Sequence, residues 1–134
     1  MDYIKLSGKR AANLRRSVSM NFQECYIQII QPTFERIKQE YEAKASGNQG
    51  MIDILGQVHR LHLEGKFGSE KSSIGIWFTD DGENWTTITC FAGLGNSSVV
   101  PSTNRMSRSM STDKVSARLI DNIFTTLLSA INRG

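Results

Sequence analysis

The fold is decided by residues 74–92, which read IGIWFTDDGENWTTITCFA. In this stretch, two runs of alternating residues flank the polar segment 79–84. Alternation with a period of two is typical of β-strands, because successive side chains point to opposite faces of a sheet. The aspartates and the glycine between the runs favour a tight turn, since aspartate binds backbone amides and glycine adopts positive φ. These residues therefore predict a β-hairpin.

The turn of this hairpin, residues 80–85, reads DDGENW and contains the pattern Asp-x-Gly-x-x-Trp. It resembles the Asp-box turn found on β-hairpins of sialidases and other β proteins. The resemblance covers only this short segment, and Phe78 stands where that motif has serine or threonine. It implies a hairpin and no sialidase activity.

Helical periodicity precedes the hairpin. Apolar residues recur three or four positions apart, at Leu14, Val18, Phe22, Cys25 and Ile29, which predicts a helix over about 9–30. Pro32 suits the first turn of a new helix. Phe34, Ile37 and Tyr41 then predict a second helix, or a kinked continuation, that runs to about Ala45. The segment 46–50, SGNQG, ends it.

The remaining elements complete an α+β layout. Residues 51–63 alternate and predict one long strand bent at Gly56. An apolar face over 115–131 predicts a C-terminal amphipathic helix, which Ser111 or Thr112 can cap. The chain is thus predicted to form a single α+β domain over residues 1–134, with two N-terminal helices, an antiparallel sheet of three to five strands, and the C-terminal helix packed on the sheet.

The composition of the chain limits the classes of protein to which it can belong. With 134 residues, 39% apolar and 22% charged, the chain is long enough and apolar enough for one packed core, so disordered and collagen-like classes are excluded. No apolar run approaches the ~20 residues that cross a bilayer, so no membrane is expected. Cys25 and Cys90 lie in apolar segments and no signal peptide is evident, so we expect a cytoplasmic chain with reduced, buried cysteines.

Positive charge is concentrated at the two ends of the chain. The net charge is +3, and residues 1–20 contain five basic groups and one acid. Lys9, Arg10, Arg15 and Arg16 lie in this stretch. If the two ends meet in the fold, they form one positive patch that attracts phosphates. The alternative is a solvated basic face.

Residues 93–112 form a long acid-free connection between the hairpin and the last helix. Connections of this length are uncommon unless they are functional, disordered or hide a short strand, for which Val99-Val100 is the candidate. The segment predicts an anion site in which Arg105 and Arg108 neutralise phosphate. Its neutral hydrogen-bonding groups are Ser102, Thr103, Asn104 and Thr112. A flexible solvated loop and an oligomer contact are the alternatives.

The two tryptophans, Trp77 and Trp85, are candidates for stacking on a nucleic-acid base. Trp85 shares a strand face with Thr87, Thr89 and Phe91, and Trp77 joins this face if it is cross-strand from one of them. The tryptophans serve this role only if that face is exposed, and the same pattern fits a face that packs on helices. The chain is similar to small single-strand-binding folds of the Whirly type in its layout alone, which is a set of strands followed by a terminal amphipathic helix.

Catalytic and metal-binding patterns are absent from the sequence. His59 and His62 are three residues apart on a predicted strand, so they point to opposite faces and cannot form a metal site or an acid/base pair. We therefore expect no catalytic residues, no metal and no cofactor, and the chain is not predicted to be an enzyme.

The hypothesis is a small non-enzymatic protein that binds an anionic ligand, either single-stranded nucleic acid or a phosphorylated nucleotide, through the basic Ser/Thr/Asn-rich loop. A homo-oligomer is a further hypothesis about its partners. The first alternative is a protein–protein interaction module, such as an immunity, anti-defence or chaperone-like factor, that uses the helical stripe 14–29. The second is a phosphodiester or glycosidic hydrolase built on His59 with Asp80 or Asp81.

Overall fold

A computed structural model describes residues 20–67, 70–94 and 105–133, without the side chains of Phe67, Arg105, Asn132 and Arg133. These residues form an N-terminal helix, a five-stranded antiparallel sheet, and a C-terminal helix packed on the sheet. The predicted α+β class is therefore confirmed.

Helix α1 spans an α-helical turn Phe22–Cys25, a π-helical turn Tyr26–Ile30 and a longer α-helix Gln31–Lys44. A capping box starts it: the Asn21 side chain accepts a hydrogen bond from the Glu24 amide, and the Glu24 carboxylate accepts one from the Asn21 amide. The second predicted helical segment is thus a continuation of the first. The part predicted over 9–19 lies outside the described residues.

Pro32 explains the π-helical turn. Proline has no N–H to donate, and its ring collides with the carbonyl four residues earlier in a regular α-helix. The wider turn Tyr26–Ile30 lies immediately before the α-helix in which Pro32 occupies the first turn. The chain therefore passes the proline without breaking the helix.

The five strands follow one another in space in the order of the sequence. They are β1 Gln49–Leu55, β2 Val58–Phe67, β3 Glu70–Gly82, β4 Trp85–Leu94 and β5 Arg105–Ser111. All neighbouring strands are antiparallel. Because β1 and β5 are the first and last strands in this order, they form the two edges of the described sheet.

Two predictions about the strands are corrected. The expected single strand over 51–63 is the β1–β2 hairpin, because Gly56 adopts a φ of 61° and reverses the chain. The expected loop over 93–112 contains strand β5, which pairs with β4 from Trp85 to Phe91. The hairpin predicted over 74–92 is confirmed as β3–β4, and three consecutive residues with positive φ, Gly82, Glu83 and Asn84, form its turn.

The hydrophobic core lies between one face of the sheet and the two helices. Helix α2, Ala117–Arg133, packs mainly against β4 and β3, whereas α1 packs against β1 and β2. The largest fully buried apolar side chains come from all these layers: Phe34, Phe78, Ile30, Ile37, Leu61, Leu63, Ile74, Ile76 and Ile120. Arg36 of α1 and Asp121 of α2 form two hydrogen bonds of 2.7 and 2.8 Å that link the helices at the surface.

The register sorts the strand residues into two faces. The helix-covered face holds the buried rows, such as Leu61, Ile76 and Cys90. The opposite face, which we call the open face, holds the alternate residues, such as Arg60, Trp77, Thr89 and Ser107. None of the described helices covers the open face, since the buried core residues of the strands belong to the other rows.

Candidate functional site on the open face of the sheet

Both tryptophans predicted to stack on bases lie on the open face. Trp77 is half-buried near its centre, and Trp85 is half-exposed at the end of β4. Their rows belong to the same face because Trp77 pairs with Thr89, four residues from Trp85 on β4. The sequence left two possibilities for this face, and the structure places it away from both helices.

Trp77 belongs to a cluster with Phe91 and Arg60. The Trp77 and Phe91 rings meet edge to face, with centroids 5.4 Å apart at 84°. The Arg60 guanidinium lies 5.8 Å from the centroid of the Trp77 ring, a cation–π contact. The Trp77 indole Nε1 is buried without a hydrogen-bond partner among the described residues.

Gly75 positions the Phe91 ring on the sheet. These two residues are opposite each other in the β3–β4 register. A Cβ added to Gly75 would lie 2.3 Å from Cε1 and 2.4 Å from Cζ of Phe91, so only glycine leaves room for the ring over the backbone. The ring therefore lies against the β3 backbone at Gly75 and is half-buried.

The charges at the β1 side of the face are paired. Arg60 donates two hydrogen bonds to Asp53, at 2.9 and 2.7 Å. These bonds hold the pKa of Asp53 below its ordinary value and raise the pKa of Arg60. His62 Nε2 lies 3.0 Å from a carboxylate oxygen of Glu64. The Arg60–Asp53 pair thus adds no net charge to this part of the face.

Lys66 and Lys71 face each other at the β2–β3 end of the open face. Both side chains are exposed. In the part of the chain that the structure describes, neither lysine forms an ion pair with an acidic side chain. They line a cleft together with Ser46, Gly47, Gln49, Glu64 and Gly65. Like charges directly opposite each other destabilise a sheet, so an anion bound here relieves their repulsion.

Hydroxyl groups line the β4–β5 side of the face. Thr87 and Ser109 are hydrogen-bonded at 2.8 Å, and Thr89 and Ser107 at 3.4 Å. Thr87 also donates to Asp81. These neutral groups offer hydrogen bonds to a polar ligand next to the aromatic cluster.

The register separates the two arginines predicted to share a phosphate. Arg105 is opposite Phe91, in a row of the open face, whereas Arg108 is opposite Ile88, in a row of the helix-covered face. Arg108 is exposed there because it lies at the edge of the sheet. The two positions thus belong to opposite faces of β5.

Thr112, predicted as a ligand donor, is fully buried, and its hydroxyl bonds that of Thr86 at 2.7 Å. The other predicted contacts lie outside the described residues: Ser102, Thr103, Asn104, Lys9, Arg10, Arg15 and Arg16. The structure therefore places Trp77, Trp85 and the position of Arg105 on one face of the sheet, at separate points along it.

The geometry gives little support to the two alternative functions, which are a hydrolase built on His59 and an interaction module that uses the helical stripe 14–29. His59 is buried against the rings of Phe22 and Tyr26, at centroid distances of 4.8 and 4.3 Å, so no substrate reaches it. Burial lowers its pKa. Phe22 and Cys25 of the helical stripe 14–29 belong to the core, so they are not available to a partner. Leu14 and Val18 lie outside the described residues.

Within the described ranges, no cluster of three or more histidine, cysteine or acidic side chains is arranged to hold a metal ion. Both cysteines are buried and free, and burial raises the pKa of Cys25 to about 11, which keeps its thiol protonated. None of the helices described has the length and apolar character needed to cross a membrane.

Sequence reasoning missed three members of the open face: Arg60, Lys66 and Lys71. It expected Phe91 on the face of the two tryptophans, and Gly75 is a further signal, because a glycine inside a strand often marks the close approach of another group. No comparable signal marks the lysines, whose proximity depends on the β2–β3 register.

Comparisons with known proteins add no family or relative. No protein-family model matches the chain, and neither the curated proteins nor the solved structures include a significant match. The similarity in layout to single-strand-binding folds therefore has no support from a structural match, and the functional argument rests on the open face.

Proposed function

We propose that this chain is a non-enzymatic protein that binds single-stranded nucleic acid on the open face of its sheet. The observation that carries the proposal is the placement of Phe91, Trp77 and Trp85 on a face that no described helix covers. Proteins hold single strands by stacking bases on aromatic side chains and by neutralising the backbone with cations.

Stacking is assigned to Phe91 and Trp85. The Phe91 ring lies against the backbone at Gly75, and a base stacks on the part of the ring that stays accessible. Trp85 is 50% exposed and lies on the same face of β4, roughly 20 Å away at about 3.3 Å per strand residue. Trp77 contacts the Phe91 ring in an edge-to-face geometry. A strand laid along β4 therefore meets the half-buried ring of Phe91 and the exposed ring of Trp85.

Neutralisation of the backbone is assigned to Lys66 and Lys71 at one end of the face. The sequence supplies further cations, since Lys9, Arg10, Arg15 and Arg16 lie in an N-terminal stretch with one acid. Arg105 occupies an open-face row of β5. Thr89 and Ser107 add neutral hydrogen bonds between the aromatic cluster and this strand.

An extended strand fits these positions better than a nucleotide held in one pocket. The positions of Arg105 and Arg108 belong to opposite faces of β5, so a site confined to one face of the sheet includes only one of the two positions. The aromatic and cationic groups are instead distributed along the open face, as a polymer with repeated bases and phosphates requires.

The test is fluorescence anisotropy with a fluorescein-labelled oligothymidylate. Loss of one base stack is worth about 1–3 kcal/mol, so Phe91→Leu is expected to weaken binding by about 5- to 150-fold. Phe91→Tyr keeps the ring and is expected to retain most of the affinity. Circular dichroism and thermal unfolding check that both variants are folded.

The salt dependence separates specific from diffuse charge effects. The double change Lys66→Gln/Lys71→Gln is expected to reduce the slope of log K against log salt by about 1.4, at roughly 0.7 per phosphate contact. The matched control is Lys114→Gln/Arg118→Gln, which removes the same charge from exposed residues at and just before α2. The proposal is wrong if oligothymidylate and oligouridylate do not bind at low salt, if Phe91→Leu binds as the wild type does, or if the control pair has an equal effect.

A further inference from the structure

The edge strand β1 has features that the proposed function does not explain. It pairs with β2 on one side, and no described strand pairs with its other side. An edge strand exposes N–H and C=O groups that pair readily with another strand, and proteins protect such edges with lysine, proline or a bulge. The sequence of β1, QGMIDIL, contains neither lysine nor proline, and its register with β2 is regular. The Gly50 amide at the start of this strand is bound by the Glu42 carboxylate of α1, at 2.9 Å. Among the described residues, no comparable contact covers the edge from Met51 to Leu55.

Apolar side chains are exposed on both faces of this edge. Met51 and Leu55 are 54% and 63% exposed in open-face rows, and Ile54 is 54% exposed on the helix-covered face. We call Met51, Ile54 and Leu55 the β1 edge patch.

The charge of the edge determines the chemistry of its partner. Asp53 is the only charged residue of β1, and both of its carboxylate oxygens accept hydrogen bonds from Arg60. A basic or acidic peptide therefore finds no uncompensated charge on this strand. The edge fits an extended, apolar segment without net charge.

We propose that the occupant is strand β1 of a second copy of this chain, aligned antiparallel about a two-fold axis at Asp53. This alignment places Met51 opposite Leu55 of the second copy, and Ile52 opposite Ile54 of the second copy. Each pair shares a face of the sheet, because the residue numbers differ by an even number. The strand is therefore complementary to itself in the antiparallel direction that a two-fold axis requires.

The same axis fits the charges and the helices. The two Asp53 side chains meet near the axis, but each is neutralised by the Arg60 of its own copy. A two-fold axis perpendicular to the sheet keeps both pairs of helices on one side of the combined sheet. The result is a continuous ten-stranded sheet whose two open faces lie on the same side.

The contact is small. One strand pair with a few flanking side chains buries less than the roughly 800 Å² per partner of a standard interface. We therefore expect a monomer–dimer equilibrium with a dissociation constant on the order of micromolar.

Sedimentation equilibrium of the full chain tests this inference. The wild type is expected to dimerise as its concentration rises through the micromolar range. Leu55→Lys places a charge on the edge and is expected to raise the dissociation constant at least tenfold. The matched control is Met106→Lys on the opposite edge strand, β5, where Met106 is 49% exposed. Circular dichroism confirms that each variant is folded.

Disulfide trapping tests the position of the axis. Residues directly opposite in antiparallel strands have Cα atoms about 4.5–5.5 Å apart, within the range that a disulfide spans. Asp53→Cys is therefore expected to form a covalent dimer under mild oxidation, whereas Met106→Cys is not. Cys25 and Cys90 are buried and do not compete.

The inference is overturned if the wild type stays monomeric through this range, or if Leu55→Lys dimerises as tightly as the wild type. It is also overturned if Met106→Lys weakens the dimer equally, or if Asp53→Cys crosslinks no faster than Met106→Cys. Nucleic-acid binding is read separately, by anisotropy, so failure of the dimer leaves the proposed function untouched.

Discussion

The buried pair of hydroxyls on Thr86 and Thr112 gives the sharpest test of how the end of the sheet is held. Both residues are fully buried, and their Oγ1 atoms are 2.7 Å apart. They join the start of β4 to the 3₁₀ turn Thr112–Lys114 that precedes α2. The perturbation is Thr→Val, which replaces the hydroxyl with a methyl group of similar size.

The single and double variants have different expected costs. Either single change leaves one buried hydroxyl without its partner, which costs about 1–2 kcal/mol of unfolding free energy. The double change Thr86→Val/Thr112→Val removes both hydroxyls and leaves none unpaired, so its cost is about 0–1 kcal/mol. The coupling between the two positions is then on the order of 2 kcal/mol.

Urea unfolding followed by circular dichroism measures the cycle, with equal m-values as the check that all four proteins unfold alike. Additive costs would refute the reasoning, because they would show that the hydroxyls do not satisfy each other. The same variants also test the prediction that the Thr112 hydroxyl forms a hydrogen bond with the ligand. A structural role predicts that Thr112→Val binds oligothymidylate as the wild type does under conditions where both are fully folded.

Three further predictions concern local structure. Glu83 has a φ of 52°, a left-handed conformation that is unfavourable for a residue with a Cβ, so Glu83→Gly is expected to raise the unfolding free energy by about 1 kcal/mol in urea. Asn21→Ala removes the acceptor for the Glu24 amide, 2.8 Å away, and is expected to lower the unfolding free energy by about 1 kcal/mol; an unchanged value would exclude a role for the cap. Burial lowers the pKa of His59 from 6.5, so the unfolded state binds more protons, and stability is expected to fall as the pH drops below 6.5. A pH profile in which His59→Phe keeps the same slope as the wild type would contradict this origin.

The hairpin could be predicted because its signals are local. The alternation over 74–92 and the turn residues between the two runs specify strands and reversal without any distant contact. Strand β5 is different, since RMSRSMS has no β-branched or aromatic residue. It is a strand because it pairs with β4, and this pairing is a tertiary contact that propensity does not encode.

The features of the candidate site also differ in whether their sequence signals are local. Periodicity placed Trp77 and Trp85 on strands, but which face is covered depends on helices remote in sequence. The two arginines were assigned to one pocket on the assumption of an irregular loop. On a strand, an odd spacing of three residues places Arg105 and Arg108 on opposite faces. The prediction of one shared pocket therefore follows from treating strand β5 as a loop.

The matching order of strands in sequence and in space has a consequence for how the chain folds. Each strand pairs with its immediate predecessor, and three of the four connections contain only two residues, so sequence-local contacts prevail, which favours rapid folding. During synthesis, α1 is available to cover β1 and β2 as they emerge, but β3 and β4 await α2. A nascent chain that has not yet released residue 117 from the ribosome therefore exposes Ile88 and Cys90 on a half-finished core. Chaperone engagement is expected at that stage, before the last helix closes the fold.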